Sequence, residues 1–434
     1  MTVTAEYTIP GLHVRDHEVV VPLDWDRPDA GELTVFAREL VAPTRRRDDL
    51  PYLLFLQGGP GGKGPRPLSA SGWVAEALKR YRVVLLDQRG TGRSTRIDGR
   101  TISRFPSAQA AADHLAHFRA DSIVRDAEHL RQHEFGARRW TTLGQSYGGF
   151  LTLSYLSLAP DGLAACLVTG GLSSVARNGA EIVYRRTYPR VEAKNAEYRR
   201  RYPGDGAVVE RIAERLAVEP AVLPDGDLLT VRRFQTLGMG FGMKHPGYEQ
   251  LHWLLDEAFD ASGDEFDAGF LAQVADATSF TTNPLYAVLQ EAIYLSGPEA
   301  GASAWAAQTV RDELPQFAES ARPLLFTGEM IYPWQFAELA ALRPFEAAAH
   351  VMHERTEWPV LYDLDRLAAN EVPVFAAVYF DDMYVDSGLQ LDTAKSVGNL
   401  HAWVTNEFEH DGLRNGDVFE RLHAMLDDAG GARP

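Results

Sequence analysis

Trp140-Thr-Thr-Leu-Gly-Gln-Ser-Tyr-Gly-Gly-Phe-Leu-Thr-Leu-Ser-Tyr-Leu-Ser-Leu-Ala159 is the stretch whose reading decides the fold. At its centre Gly144-Gln145-Ser146-Tyr147-Gly148 fits G-x-S-x-G, a nucleophile elbow in which a strand ends, the chain reverses, and a helix starts at once. Trp140 to Leu143 is short, aromatic and β-branched, as a buried strand requires. Phe150, Leu151, Leu153, Leu156 and Leu158 then recur at helical intervals. Gly144 and Gly148 relieve crowding where the backbone leaves no room for a side chain. The turn is predicted to present Ser146 Oγ above a helix N-terminus, whose free N–H groups favour an oxyanion.

Working outward, buried-strand runs precede the elbow. Tyr52-Leu-Leu-Phe-Leu leads into Gln57-Gly-Gly-Pro-Gly-Gly62, and Arg82-Val-Val-Leu-Leu ends in Asp87-Gln-Arg-Gly-Thr-Gly-Arg-Ser94. Helical patterns around Trp73 to Arg80 and Asp121 to Glu134 separate these strands. The alternation predicts a doubly wound, mostly parallel α/β sheet, with functional loops at the carboxyl ends of its strands. Two antiparallel strands are expected before it, at Glu18–Leu23 and Leu33–Val41. A further strand is expected within Leu163–Gly171. From residue 173 to 345 the pattern turns helical, with charged amphipathic stretches such as Ala180–Tyr202. Buried-strand patterns return at Val372–Phe380 and Leu400–Thr405, and Val418–Leu426 reads as a closing helix. The expected organisation is a core of residues 1–172 and 346–434 interrupted by a helical cap, 173–345.

A serine hydroxyl is a weak nucleophile, so it needs an imidazole to take its proton and a carboxylate to orient that imidazole. In folds built on this elbow the chain order is serine, acid, histidine. Phe380-Asp381-Asp382-Met383 and Glu409-His410-Asp411-Gly412 each follow a late strand and meet that demand. His410 is therefore the expected base. Asp382 is the favoured acid, with Asp381 next and Asp386 third. The glycine loop after Tyr52–Leu56 occupies the position from which the second oxyanion donor comes, giving the N–H groups of Tyr147 and of Gly59 or Gly58. Arg89 and Arg93 read as fasteners of neighbouring loops rather than substrate ligands.

Composition narrows the class further. The 434 residues carry 43 Lys plus Arg against 60 Asp plus Glu, a formal charge of −17 that repels nucleic acid and anionic membranes. At 45% hydrophobic and 10% aromatic the chain has material for a full core. Cys166 is the only cysteine and lies in an apolar run, which fits a reducing compartment. The N-terminus has no signal-peptide pattern and no apolar run reaches membrane-spanning length, so a cytoplasmic protein is expected. No histidine–carboxylate group has zinc-ligand spacing; no metal and no cofactor are expected.

Taken together, Gln57-Gly-Gly-Pro-Gly, Asp87-Gln-Arg-Gly-Thr-Gly-Arg-Ser, Gly144-Gln-Ser-Tyr-Gly-Gly, Tyr379-Phe-Asp-Asp-Met-Tyr-Val and Thr405-Asn-Glu-Phe-Glu-His-Asp-Gly-Leu resemble the longer-chain branch of the proline iminopeptidase (prolyl aminopeptidase) family, α/β-hydrolase serine peptidases. The resemblance spans most of the chain. One departure is Gln57, where the family's first loop usually begins with histidine. The resemblance implies release of N-terminal proline from small peptides through an acyl-enzyme, with cap glutamates holding the amino group. Glu291 and Glu329, both in apolar surroundings, are the candidate glutamates, and Tyr294, Tyr332 and Trp334 are candidate walls for the pyrrolidine ring. The competing expectations are an esterase or amidase for small neutral substrates, and a catalytically silent binding protein of the same fold.

Overall fold

The computed structural model describes residues 3–176, 179–243 and 246–433. A nine-stranded sheet organises them: β1 (Val3–Ile9), β2 (Leu12–Pro22), β3 (Glu32–Val41), β4 (Tyr52–Leu56), β5 (Arg82–Asp87), β6 (Trp140–Gln145), β7 (Leu163–Thr169), β8 (Val374–Tyr379) and β9 (Leu400–Thr405). Their spatial order is β1-β2-β3-β5-β4-β6-β7-β8-β9. Pairing is antiparallel from β1 through β3 to β5 and parallel from β5 to β9. β4 to β8 are buried along almost their whole length, as continuous apolar runs demand in a sheet covered on both faces. Cys166 lies inside β7, where burial pushes its thiol up to about 12.

The principal helices are α1 (Gly72–Ala77), α2 (Ala120–Glu134), α3 (Tyr147–Leu158), α4 (Glu181–Arg201), α5 (Asp205–Val218), α6 (Gly247–Asp256), α7 (Ala268–Ala277), α8 (Ala306–Asp312), α9 (Ser387–Ser396) and α10 (Val418–Asp428). α3 is buried on nearly every side, which its unbroken apolar and small-residue sequence allows. α4 to α8 belong to the long segment between β7 and β8. Among the described residues no helix is long and apolar enough to cross a membrane.

Two strands depart from expectation. β1 has no counterpart in the sequence reading, and its residues are almost all exposed because it closes one edge of the sheet. Leu400–Thr405 forms a strand but not a buried one: β9 is the opposite edge, and most of its side chains meet solvent. Trp403 accounts for its apolar look by packing on the core beneath α10, with the Arg421 guanidinium 5.4 Å from its ring centre.

Arg89 and Arg93 act as fasteners. Arg89 is buried and bonds Asp126 (Nε to Oδ2, 2.7 Å) and the carbonyls of Leu23 and His117. Arg93 pairs with Asp16 and Glu18 of β2. Asp87, at the end of β5, accepts from Gly64 N–H at 2.9 Å and Arg93 N–H at 2.8 Å, tying the loop after β4 to the loop after β5.

Candidate active site

The elbow exists because four backbone segments crowd one point. Ser146 stands between β6 and α3 with φ 56° and ψ −124°, a conformation that costs an L-residue of order 1–3 kcal/mol. Its N–H bonds Thr169 O at 3.0 Å and its carbonyl accepts from Gly149 at 2.7 Å, so the neighbouring strand and the first turn of α3 hold the strain in place. A β-carbon at Gly148 would lie 1.9 Å from Leu56 O, which is why that position tolerates glycine alone. Tyr147 opens α3, so its N–H has no acceptor within the helix. Gly58 approaches closely enough that a β-carbon there would stand 3.0 Å from Ser146 Cβ. Gly59 lines the same cavity as Ser146. The loop's position is fixed by a bond from Gln88 Nε2 to Gln57 O at 2.8 Å and by Asp87.

On the far side of the elbow, β8 ends and the chain turns through Asp381 and Asp382. Asp382 is fully buried; its Oδ1 accepts from Tyr384 N–H at 2.8 Å and Val385 N–H at 3.1 Å, and its Oδ2 lies 2.7 Å from His410 Nδ1. A carboxylate only accepts, so this contact puts the proton on Nδ1 and leaves Nε2 as the basic nitrogen. Burial acts to lower the imidazole pKa. The charge and hydrogen bond of Asp382, with Glu329 adding, outweigh it and hold His410 above its ordinary 6.5. The His410 N–H bonds Gly242 O at 3.1 Å, and the Tyr384 ring packs 4.8 Å from the imidazole. Asp381 is exposed. Asp386 caps α9 through Leu389 N–H and pairs with Arg190.

Ser146 and His410 line one cavity of about 930 Å³, together with Gln57, Gly58, Gly59 and Glu329. Leu237, Met239, Met243 and Leu254 give it an apolar wall. Burial pushes the Glu329 carboxyl up to about 7, against the Tyr286 hydroxyl that donates to it and the nearby imidazole; Asp382 adds to the rise. Among the described residues no Lys or Arg pairs with Glu329. A smaller cavity of about 180 Å³ adjoins, sharing Met239 and Tyr286 and bounded by Met330 and Ile331.

Other residues expected at the site lie elsewhere. Glu291 does not line the cavity: its two oxygens accept from Ala306 N–H (3.0 Å) and Ala307 N–H (2.9 Å) at the start of α8, and His353 Nδ1 lies 3.0 Å away. That carboxylate satisfies a buried helix N-terminus. Tyr332 is core, bonded to Tyr188 OH at 3.0 Å, and Trp334 stacks on it under the Arg232 guanidinium. Tyr294 packs between Phe150 and Tyr184. None of these three rings borders the cavity. The aromatic residues that do are Tyr286 and Tyr384, with the exposed Trp253. For Tyr286 a signal was present: Asn283-Pro284 marks a helix start, and Asn283 Oδ1 accepts from Tyr286 N–H at 3.2 Å while its Nδ2 bonds Pro60 O at 3.3 Å.

A serine on a strained strand-to-helix turn, an imidazole oriented by a buried carboxylate, and a mostly parallel sheet beneath them define an α/β hydrolase; residues 51–212 match the alpha/beta hydrolase fold family. The chain is 45% identical to a proline iminopeptidase of Aeromonas sobria, over 95% of its own length and 96% of that protein's. It is 33% identical to a proline iminopeptidase of Aspergillus aculeatus, over 94% and 92%. The chain belongs to the proline iminopeptidase family.

Proposed function

We propose that this chain is a serine exopeptidase that releases N-terminal proline from small peptides. In this reading the core, residues 1–172 and 346–434, supplies the acyl-transfer machinery, and the cap, 173–345, supplies the grip on the amino terminus. Ser146 Oγ attacks the carbonyl of the first residue while His410 Nε2 takes its proton and Asp382 keeps the ring oriented. The N–H groups of Tyr147 and Gly59 hold the oxyanion. Collapse breaks the peptide bond, and His410 gives its proton to the departing amine. Water then attacks the prolyl ester on Ser146, its proton passing to His410, and free proline leaves with the serine restored.

The observation that carries the reading is the Glu329 carboxyl in the same cavity as Ser146 and His410, with no Lys or Arg pairing it among the described residues. A carboxylate in a largely apolar cavity without a counter-cation is costly, and the secondary ammonium of an N-terminal proline supplies that cation. Met239 and Tyr286, which border both cavities, offer apolar surface to the pyrrolidine ring. The test is steady-state kinetics on proline β-naphthylamide against a short-chain p-nitrophenyl ester. Strong preference for the proline amide is expected; efficient ester cleavage without amide cleavage refutes the reading.

A further inference from the structure

α4 reaches three separate parts of the site from consecutive turns. Arg190 spreads its guanidinium over the loop after β8: Nε lies 2.6 Å from Asp386 Oδ2, Nη1 2.8 Å from Phe380 O, and Nη2 2.9 Å from Ser387 Oγ. These anchors bracket Asp382. One turn on, Lys194 donates to Glu409 Oε1 at 2.6 Å, and Glu409 is the residue before His410. Both members of that pair are buried, at 5% and 7% exposure, in a place where an ion pair persists only with well-made geometry. Asn195 makes a two-way bond with Phe326, Nδ2 to the carbonyl at 2.9 Å and Oδ1 from the N–H at 2.8 Å. Phe326 lies three residues before Glu329. Val191 stands so close to Gly328 that a β-carbon there would be 2.6 Å from its Cγ2.

The two late loops come from the far end of the chain, and Glu329 lies in an irregular segment with no strand or helix of its own. Pro189 lies inside α4, but Arg190, Val191, Lys194 and Asn195 all follow it within two turns, and one helical segment touching all three sets their relative placement more firmly than the loops do themselves. We infer that α4 is the ruler of the active site, with Arg190, Lys194 and Asn195 as positioning residues that hold Asp382, His410 and Glu329 respectively in register. The inference rests on the roles proposed above for those three groups.

The ruler has a signature that general loss of stability lacks, because its three arms end on different functions. Arg190→Met and Lys194→Met release the Asp382 and His410 loops, so kcat falls on peptide and ester alike, with KM nearly constant; ~100-fold is the scale of a 1 Å misplacement at the reacting atoms. Asn195→Ala releases only the Glu329 segment. The peptide KM rises at least about tenfold and ester turnover stays within about twofold, as expected when only ground-state grip is lost. Glu409→Gln, which removes the charge but keeps shape, repeats the Lys194→Met pattern more mildly and covers the case in which that variant fails to fold.

Rates are taken per active site by titration with an organophosphonate, so misfolded protein does not enter. The far-downfield proton resonance of a His410 Nδ1–H bonded to Asp382 should broaden or move in Lys194→Met and persist in Asn195→Ala. Equal losses on both substrates in all three variants, or no loss in any, overturn the ruler. Failure of the underlying roles is read separately, as wild-type protein that takes no phosphonate on Ser146.

Discussion

Glu329→Gln separates amine binding from acyl transfer, and the structure fixes how its effect changes with pH. Burial pushes the Glu329 carboxyl up to about 7, so in the empty enzyme at pH 8 it is mostly ionised and ready for the ammonium of the substrate. Losing a hydrogen bond to a charged partner costs about 1.5–3 kcal/mol, or roughly a 10- to 150-fold drop in peptide kcat/KM. At pH 6 the native carboxyl must first give up a proton to bind the cation, which costs about 1.4 kcal/mol and shrinks the advantage of Glu over Gln roughly tenfold. The assay is the ratio of proline-amide to ester kcat/KM across pH for both proteins, because the His410 ionisation is common to the two substrates and cancels. The ratio should climb from pH 6 to pH 8 in the native enzyme and lie flat in the variant. An equal loss on both substrates, or a native ratio that does not move with pH, refutes the argument. Stability supplies a second readout. A carboxyl raised from 4.5 to about 7 favours the protonated fold, so its ionisation penalty enters as pH rises through that window and reaches about 3 kcal/mol above it. The substrate-free variant should therefore melt higher than the native protein at pH 8 and not at pH 4.

Asp382→Asn should lower kcat on the order of 10⁴-fold on both substrates with the fold intact by circular dichroism, because an amide no longer dictates which imidazole nitrogen carries the proton. Ser146→Gly removes the hydroxyl and also the unfavourable φ of 56°; turnover should vanish while Tm stays level or rises, the strain relieved being about 1 kcal/mol. Glu291→Gln should lower Tm by weakening the acceptor for Ala306 N–H, Ala307 N–H and His353, at about 1–3 kcal/mol, and leave the peptide-to-ester ratio unchanged. A shift in that ratio would return Glu291 to the substrate.

What the sequence discloses follows from how local each cause is. The elbow is legible because its signature lies within five residues, Ser146 at positive φ between two glycines, even though the atom that leaves Gly148 no room is Leu56 O on another strand. β4 and β5 are legible because strands covered on both faces need unbroken apolar runs. The Asp382–His410 contact is legible through chain order, although 28 residues separate the two. β1 is not, since an exposed edge strand carries no burial pattern. Glu291 and Glu329 look alike in sequence, each a carboxylate among apolar residues. Their difference lies in tertiary placement: one meets the start of α8, fifteen residues on, and the other meets an open cavity. Trp334 and Tyr294 fail for the same reason, because a large aromatic residue in an apolar stretch belongs equally to a core or to a pocket wall.

The central claim is that Ser146 carries the first residue of the substrate as an ester. Rapid acid quench during turnover of a proline ester or amide, followed by peptide mapping by mass spectrometry, tests it most directly. A prolyl adduct on the peptide containing Ser146, absent from Ser146→Ala and trapped in greater yield when deacylation is slowed, is the expected result. Turnover with no adduct on Ser146, or with Ser146→Ala still active, would contradict it.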